Sequence, residues 1–248
     1  MKSGLLGWKG VTTLFRKLYN RLASLNLGLW LIGGLMLLLG LGSFSREGPE
    51  SGSINELPLL QWLRETSIAY SWWLWLAIGL LVLLTLNTIC CSIESVRGKY
   101  GSTRFLILIA PQVMHAGFLL IVLAHLCSAW GGYKQTMPVQ EGGVIGLPDG
   151  GRLQVTNLAM TIGPMGFPTD FSAQIRAMNG ERESVQTIRP NEPFFYKGIG
   201  FYLKEVAFDP YRAALLEIHR EPGAGLALVG ALFFSVGNVV LLSVRRER

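Results

Sequence analysis

The distribution of charge constrains this chain more than any motif does. Residues 22–45, 66–93, 105–133 and 222–244 contain no Asp, Glu, Lys or Arg. Each gap is at least as long as the roughly 20 residues a helix needs to cross about 30 Å of hydrocarbon, and no fifth gap of that length occurs. With 50% hydrophobic and 15% charged side chains, the composition excludes a disordered chain or a nucleic-acid-binding protein as the starting expectation. The expected fold class is therefore a membrane α-helical protein with four transmembrane helices, at 25–44, 72–92, 105–130 and 222–244. Most of what remains is one block, residues 131–221, between the third and fourth helices.

The formal net charge of +6 sits at the edges of these spans. Residues 1–24 carry Lys2, Lys9, Arg16, Lys17 and Arg21 and no acid; residues 92–104 carry Arg97, Lys99 and Arg104 against Glu94. The tail 245–248 has Arg245, Arg246 and Arg248 against Glu247, whereas 44–71 and 131–221 are balanced or acidic. The positive-inside rule then predicts a multi-pass protein of the cytoplasmic (inner) membrane with both termini and the 93–104 loop cytoplasmic. The 45–71 loop and the 131–221 block are expected outside, in the periplasm or its equivalent. Within 1–24, Leu14, Phe15, Leu18 and Leu22 share one face and Arg16, Lys17 and Arg21 another, which predicts an interfacial anchoring helix. The Leu27–Gly42 stretch exceeds a typical signal-peptide core and lacks an A-x-A site, so it reads as a retained span.

The 131–221 block changes texture. Short runs at Leu153–Val155, Phe171–Ile175, Ser184–Ile188, Phe201–Val206 and Ala214–Ile218 alternate with Gly, Pro and Asp turns, which predicts an all-β, sandwich-like domain with antiparallel pairing. The three cysteines, Cys90, Cys91 and Cys127, make no CxxC pair and read as packing residues. No GxSxG, HExxH, P-loop or GxGxxG occurs in a suitable context, and pairs such as Glu181/Glu183 and Asp209/Glu217 have no pattern separating acid–base work from a solvated face. No catalytic residue is assigned.

The third gap holds His115 and His125, with Pro111 and Gln112 close by. An ionisable group inside a membrane helix is costly and points to function, and neutral imidazole is a strong axial ligand for haem iron. His115 lies ten residues past Phe105, about 15 Å along a helix, near the expected midplane. Ten further positions give about 280° of rotation and another 15 Å of rise, so His115 and His125 cannot clamp one iron from the same helix. The residues alone leave two readings of His115 open, an iron ligand or a hydrogen bond to a neighbouring helix. His219 in Ile218-His219-Arg220-Glu221 reads as a surface residue, and Trp72, Trp73 and Trp75 as an interfacial aromatic cluster.

Three stretches resemble the ResB family, also called CcsB, of system II cytochrome c biogenesis. They are Leu22-Ala23-Ser24-Leu25-Asn26-Leu27-Gly28-Leu29-Trp30 leading to Leu41-Gly42-Ser43-Phe44; His115-Ala116-Gly117-Phe118 followed by Trp130-Gly131-Gly132-Tyr133; and Asn191-Glu192-Pro193-Phe194-Phe195-Tyr196-Lys197-Gly198-Ile199-Gly200-Phe201-Tyr202. The resemblance implies a subunit that works with a CcsA-type partner bearing a WWD motif. Together they export haem b and present it to apocytochrome c, with a thioredoxin-like thiol reductant as a further possible partner. It implies that His115 is the transmembrane axial ligand; His125 is a weaker candidate. By the same resemblance the chain is not an enzyme alone but an accessory subunit of a haem-lyase complex, short for the family and with a reduced outer domain. The residues by themselves also admit a b-type cytochrome passing electrons near His115 and His125, or a non-haem scaffold that docks the apocytochrome. Arg97, Lys99 and Arg104 could meet haem propionates, though they serve equally as topology determinants.

Overall fold

The computed structural model describes residues 3–44, 54, 57–99, 105–147, 149–179 and 182–246. Arg104, Glu181 and residues 45–53 and 55–56 of the expected 45–71 loop lie outside the described residues. The chain runs α1 (Ser3–Leu22), α2 (Leu25–Ser43), α3 (Leu59–Glu65), α4 (Ile68–Lys99) and α5 (Phe105–Gly131), then β1 (Tyr133–Gln140), β2 (Val144–Gly146), β3 (Arg152–Ile162) and β4 (Pro168–Asn179). It continues through β5 (Arg182–Ile188), β6 (Phe194–Tyr196), β7 (Ile199–Ala207) and β8 (Ala213–Arg220) to α6 (Ala224–Arg246). It divides into two compact units, one of helices and one holding all eight strands.

In the helical unit, α2, α4, α5 and α6 are long and apolar enough to cross a membrane, as expected of a multi-pass membrane protein. An α-helix pairs its backbone polar groups within itself apart from its end turns, the condition for standing in lipid. The second of them is longer than the apolar stretch predicts: α4 runs from Ile68 to Lys99, where the sequence suggests 72–92. Ile93–Lys99 continues the helix because nothing there breaks it, and a helix ends where its backbone is broken, not where apolar composition ends.

Helices α2 and α4 pack antiparallel through small residues. A Cβ on Gly28 would lie 2.6 Å from Asn87 Oδ1, one on Gly34 would lie 3.2 Å from Leu80, and Gly42 abuts the Trp73 ring. Residue numbers fall along α4 as they rise along α2, and the glycines allow the close approach that membrane helices use in place of a hydrophobic drive. The buried amide of Asn87 ties down the break between α1 and α2, where Nδ2 donates to the Leu22 carbonyl at 2.5 Å and to the Ser24 carbonyl at 3.0 Å. Leu22 closes α1, so Asn87 satisfies a carbonyl that the end of a helix leaves open. Helix α1 also meets α4 where Tyr19 Oη donates to Glu94 Oε2 at 3.4 Å, while Leu14, Phe15 and Leu18 remain exposed. On the other side α5 meets α6, where a Cβ on Gly117 would lie 2.6 Å from the Gly230 carbonyl oxygen, so only glycine fits.

The β unit is two four-stranded antiparallel sheets, ordered β1-β8-β7-β6 and β2-β3-β4-β5. Alternation turns Leu153 and Val155 of β3, Ala173, Ile175 and Ala177 of β4, Phe201 and Leu203 of β7, and Ala214, Leu216 and Ile218 of β8 into one shared core. A bulge between Thr156 and Ala159, with Asn157 at φ 50°, shifts the phase of β3 so that Leu158 points inward next. This is the extra residue that a β-bulge inserts. The expected sandwich-like module is thus a β-rich unit with its own core. The first and last strands are neighbours, Tyr133 pairing with Arg220.

Candidate functional site

The helical unit brings His115 of α5 against Ser92 of α4. Ser92 Oγ and His115 Nδ1 are 2.7 Å apart, the imidazole is half-buried, and Nε2 has no hydrogen-bond partner among the described residues. Both residues are held by long apolar helices, so the pair is fixed by tertiary packing and not by a loop. Ser92 stands only two residues before Glu94. The contact therefore lies toward the charged end of α4, although His115 is also about 15 Å from the start of α5. Two residues beyond His115, Gly117 admits α6 against the same helix.

One turn before His115, the side-chain amide nitrogen of Gln112, its own Nε2, is buried without a hydrogen-bond acceptor among the described residues. Residues three apart on a helix are neighbours on one face, so Gln112 and His115 belong to the same face of α5. Leaving a buried donor unpaired costs about 1–3 kcal/mol, a cost that a bound group with an acceptor would relieve. Among the described residues no three His, Cys, Asp or Glu side chains gather as a metal site. A bare divalent ion, which needs three or four protein ligands, does not fit. Iron already held in a macrocycle would need only one axial imidazole from a protein helix.

The other candidates are placed differently. His125, on the same helix, is exposed. His219 belongs to β8, where its Nε2 lies 2.9 Å from Glu221 Oε1 and its ring 6.3 Å from that of Tyr202. Trp73 packs on Gly42, while Trp72 and Trp75 are exposed. Arg97 is exposed five residues beyond Ser92, about 7.5 Å along α4. Cys90, Cys91 and Cys127 are free thiols.

The Asn191–Tyr202 motif has a structural explanation. Tyr196 pairs directly with Ile199, so Lys197-Gly198 is a two-residue hairpin turn, with φ 47° and 79°; positive φ at both positions is what the twist of paired strands demands. Asp149 locks this turn. Its Oδ2 accepts from Lys197 Nζ at 2.6 Å and Tyr196 Oη at 3.2 Å, and its Oδ1 accepts from the Gly151 amide at 3.1 Å. The Lys197 ammonium and the Gly151 amide hold the Asp149 carboxyl below its usual range. These contacts give the motif a structural role, that of building and locking a hairpin of the module.

Sequence reasoning missed Ser92 and Asn87. A lone amide inside a charge-free stretch is a signal that could have found Asn87, whereas nothing along the chain points from Ser92 to His115.

Residues 106–207 match the model of the ResB-like family. The resemblance to ResB is borne out over this stretch, which contains both His115 and the Asn191–Tyr202 motif. No curated protein matches the chain. Among solved structures, Cytochrome c Heme Lyase CcmF superposes with a TM-score of 0.44 at 14% identity, covering 84% of this chain and 33% of that one. The chain thus spans about a third of that protein's length.

Proposed function

We propose that this ResB-like chain is a haem-handling membrane subunit in the maturation of c-type cytochromes, with His115 Nε2 as one axial ligand to the iron of transported haem b. The observation that carries the reading is the half-buried imidazole whose Nδ1 is engaged by Ser92 while Nε2 stays open. The match of residues 106–207 to the ResB-like family supports it, and so does the orphaned Gln112 amide one turn away.

The opposite ligand comes from a partner, because His125 is exposed on the same helix ten residues on and cannot reach the same iron. A CcsA-type subunit with a WWD motif fits that need, and the extensive exposed apolar surface of α2, α4, α5 and α6 leaves room for it beside lipid. In this reading both termini face the cytoplasm, the β module stands outside, and haem passes to the cysteines of apocytochrome c, kept reduced by a thioredoxin-like protein. The chain's own residues bind and orient; the iron supplies the redox chemistry.

The test is His115→Ala in the full-length chain co-expressed with its CcsA-type partner. We expect co-purified haem, measured by pyridine haemochrome, to fall at least tenfold and cytochrome c maturation to be lost, with partial recovery on adding imidazole. Undiminished haem in a folded His115→Ala complex overturns the assignment.

A further inference from the structure

We propose that Ser92 is the positioning residue of His115: its hydroxyl accepts a hydrogen bond from Nδ1–H, which leaves the Nε2 lone pair open and aims it at iron. The inference rests on the reading of His115 as a ligand and adds to it the group that selects which nitrogen binds.

A neutral imidazole carries one proton on two nitrogens, and the protonated one has no lone pair to give. An unconstrained imidazole favours the proton on Nε2, which would cap the nitrogen that faces away from α4. The Ser92 contact at 2.7 Å offsets that preference, because a hydroxyl oxygen beside Nδ1 rewards a proton there. Ser92 can accept in this way only if its own proton goes elsewhere. Other hydroxyls of α4 show where such a proton can go: those of Ser71, Thr85 and Thr88 each donate to the carbonyl four residues back, and the proposal requires the Ser92 proton to turn to its own helix in the same way. With its proton so directed, both lone pairs of Oγ are free for the imidazole.

The contact also fixes the plane of the ring. Ser92 is on a different helix from His115, so the bond constrains rotation about the ring's own axis, which helix α5 alone leaves broad. It makes Nε2 a stronger donor too, as the second hydrogen bond of metal-bound histidines does; loss of such partners costs about 10–100-fold in affinity.

The experiment compares wild type, Ser92→Ala, Ser92→Thr and His115→Ala in the full-length chain purified with its partner subunit. Transfer of haem to apomyoglobin reports dissociation, reductive titration reports the midpoint potential, and 15N shifts of the haem-free complex in which only this chain, with its 3 histidines, is isotope-labelled report the tautomer. We expect Ser92→Ala to release haem about 10–100-fold faster, to move the midpoint potential and to move the His115 proton from Nδ1 to Nε2. Ser92→Thr, which keeps the hydroxyl, restores all three. If Ser92→Ala matches wild type while His115→Ala loses haem, the positioning role is refuted and the ligand assignment survives. If His115→Ala retains haem, both fall. If Ser92→Ala weakens haem but leaves the His115 tautomer unchanged, or Ser92→Thr fails to restore it, the hydroxyl acts by packing and the proposal is wrong.

Discussion

The tie between Asn87 and Gly28 makes a quantitative prediction that a double-mutant cycle can check. Gly28→Ala adds a Cβ whose nearest neighbour is Asn87 Oδ1 at 2.6 Å. That atom belongs to an amide already committed through Nδ2 to the Leu22 and Ser24 carbonyls. It cannot swing away without breaking those bonds, so α2 and α4 must part. Overpacking of this kind costs about 1–3 kcal/mol. Removing the amide by Asn87→Ala costs hydrogen bonds instead. The Ser24 carbonyl keeps the Gly28 amide at 3.2 Å, so the main loss is at Leu22, about 0.6–1.7 kcal/mol on the scale of interhelical hydrogen bonds in membranes. In the double variant the alanine methyl enters space the amide has vacated, and the better helix propensity of Ala, up to about 1 kcal/mol, is no longer offset by a clash. The two changes should therefore couple by about 1–3 kcal/mol in the relieving direction. Steric-trap unfolding of the full-length protein in bicelles measures all four corners. Additive losses would show that Gly28 and Asn87 do not share a packed contact, and the account of the α2–α4 seam would fail.

Two further outcomes concern the β unit. Phe201 is fully buried between the sheets, so Phe201→Ala should destabilise that unit by about 3–5 kcal/mol, seen as lost hydrogen-exchange protection in strands β7 and β8 with α4 and α5 unaffected. Glu217 accepts from Lys134 at 3.0 Å and Lys204 at 3.3 Å; burial pushes its carboxyl up, but the two ammonium groups outweigh it and hold it below the ordinary range. A depressed folded-state value means that this stabilisation is complete above the usual value of 4.5 and drains away as pH falls through the lower, folded one. Exchange protection in β1 and β8, corrected for intrinsic rates, should decline below that point in wild type and much less in Glu217→Gln; identical acid profiles would remove Glu217 from the account.

What the sequence discloses and what it withholds divide along physical lines. Four charge-free stretches reveal α2, α4, α5 and α6 because burial in lipid acts on every residue of a span at once. His115 stands out for the same reason, as a titratable group where few are tolerated. Strand β1 stays hidden because Tyr133–Gln140 is half polar and contains Pro138. It is tolerated at the sheet edge, where β1 pairs with β8 alone and a missing N–H can face outward. Strands β2 and β6 are three residues long, too short for an alternation to register. The partners of His115 and of the Leu22 carbonyl are hidden more deeply. Each is a contact between helices distant along the chain, and no local period encodes which hydroxyl or amide will arrive opposite.

The pairing of the first strand with the last has a consequence for how such a chain can change. Tyr133 and Arg220 stand opposite each other in one ladder, so the chain enters and leaves the module about one strand spacing apart, near 5 Å. Whatever is threaded between those two points, its ends stay the same short distance apart. Hairpins can be lengthened or strands appended within the module without changing the spacing of those two ends. The β1–β8 pair thus works as a socket, in which a lineage or an engineer could vary the connections threaded between two ends of fixed spacing.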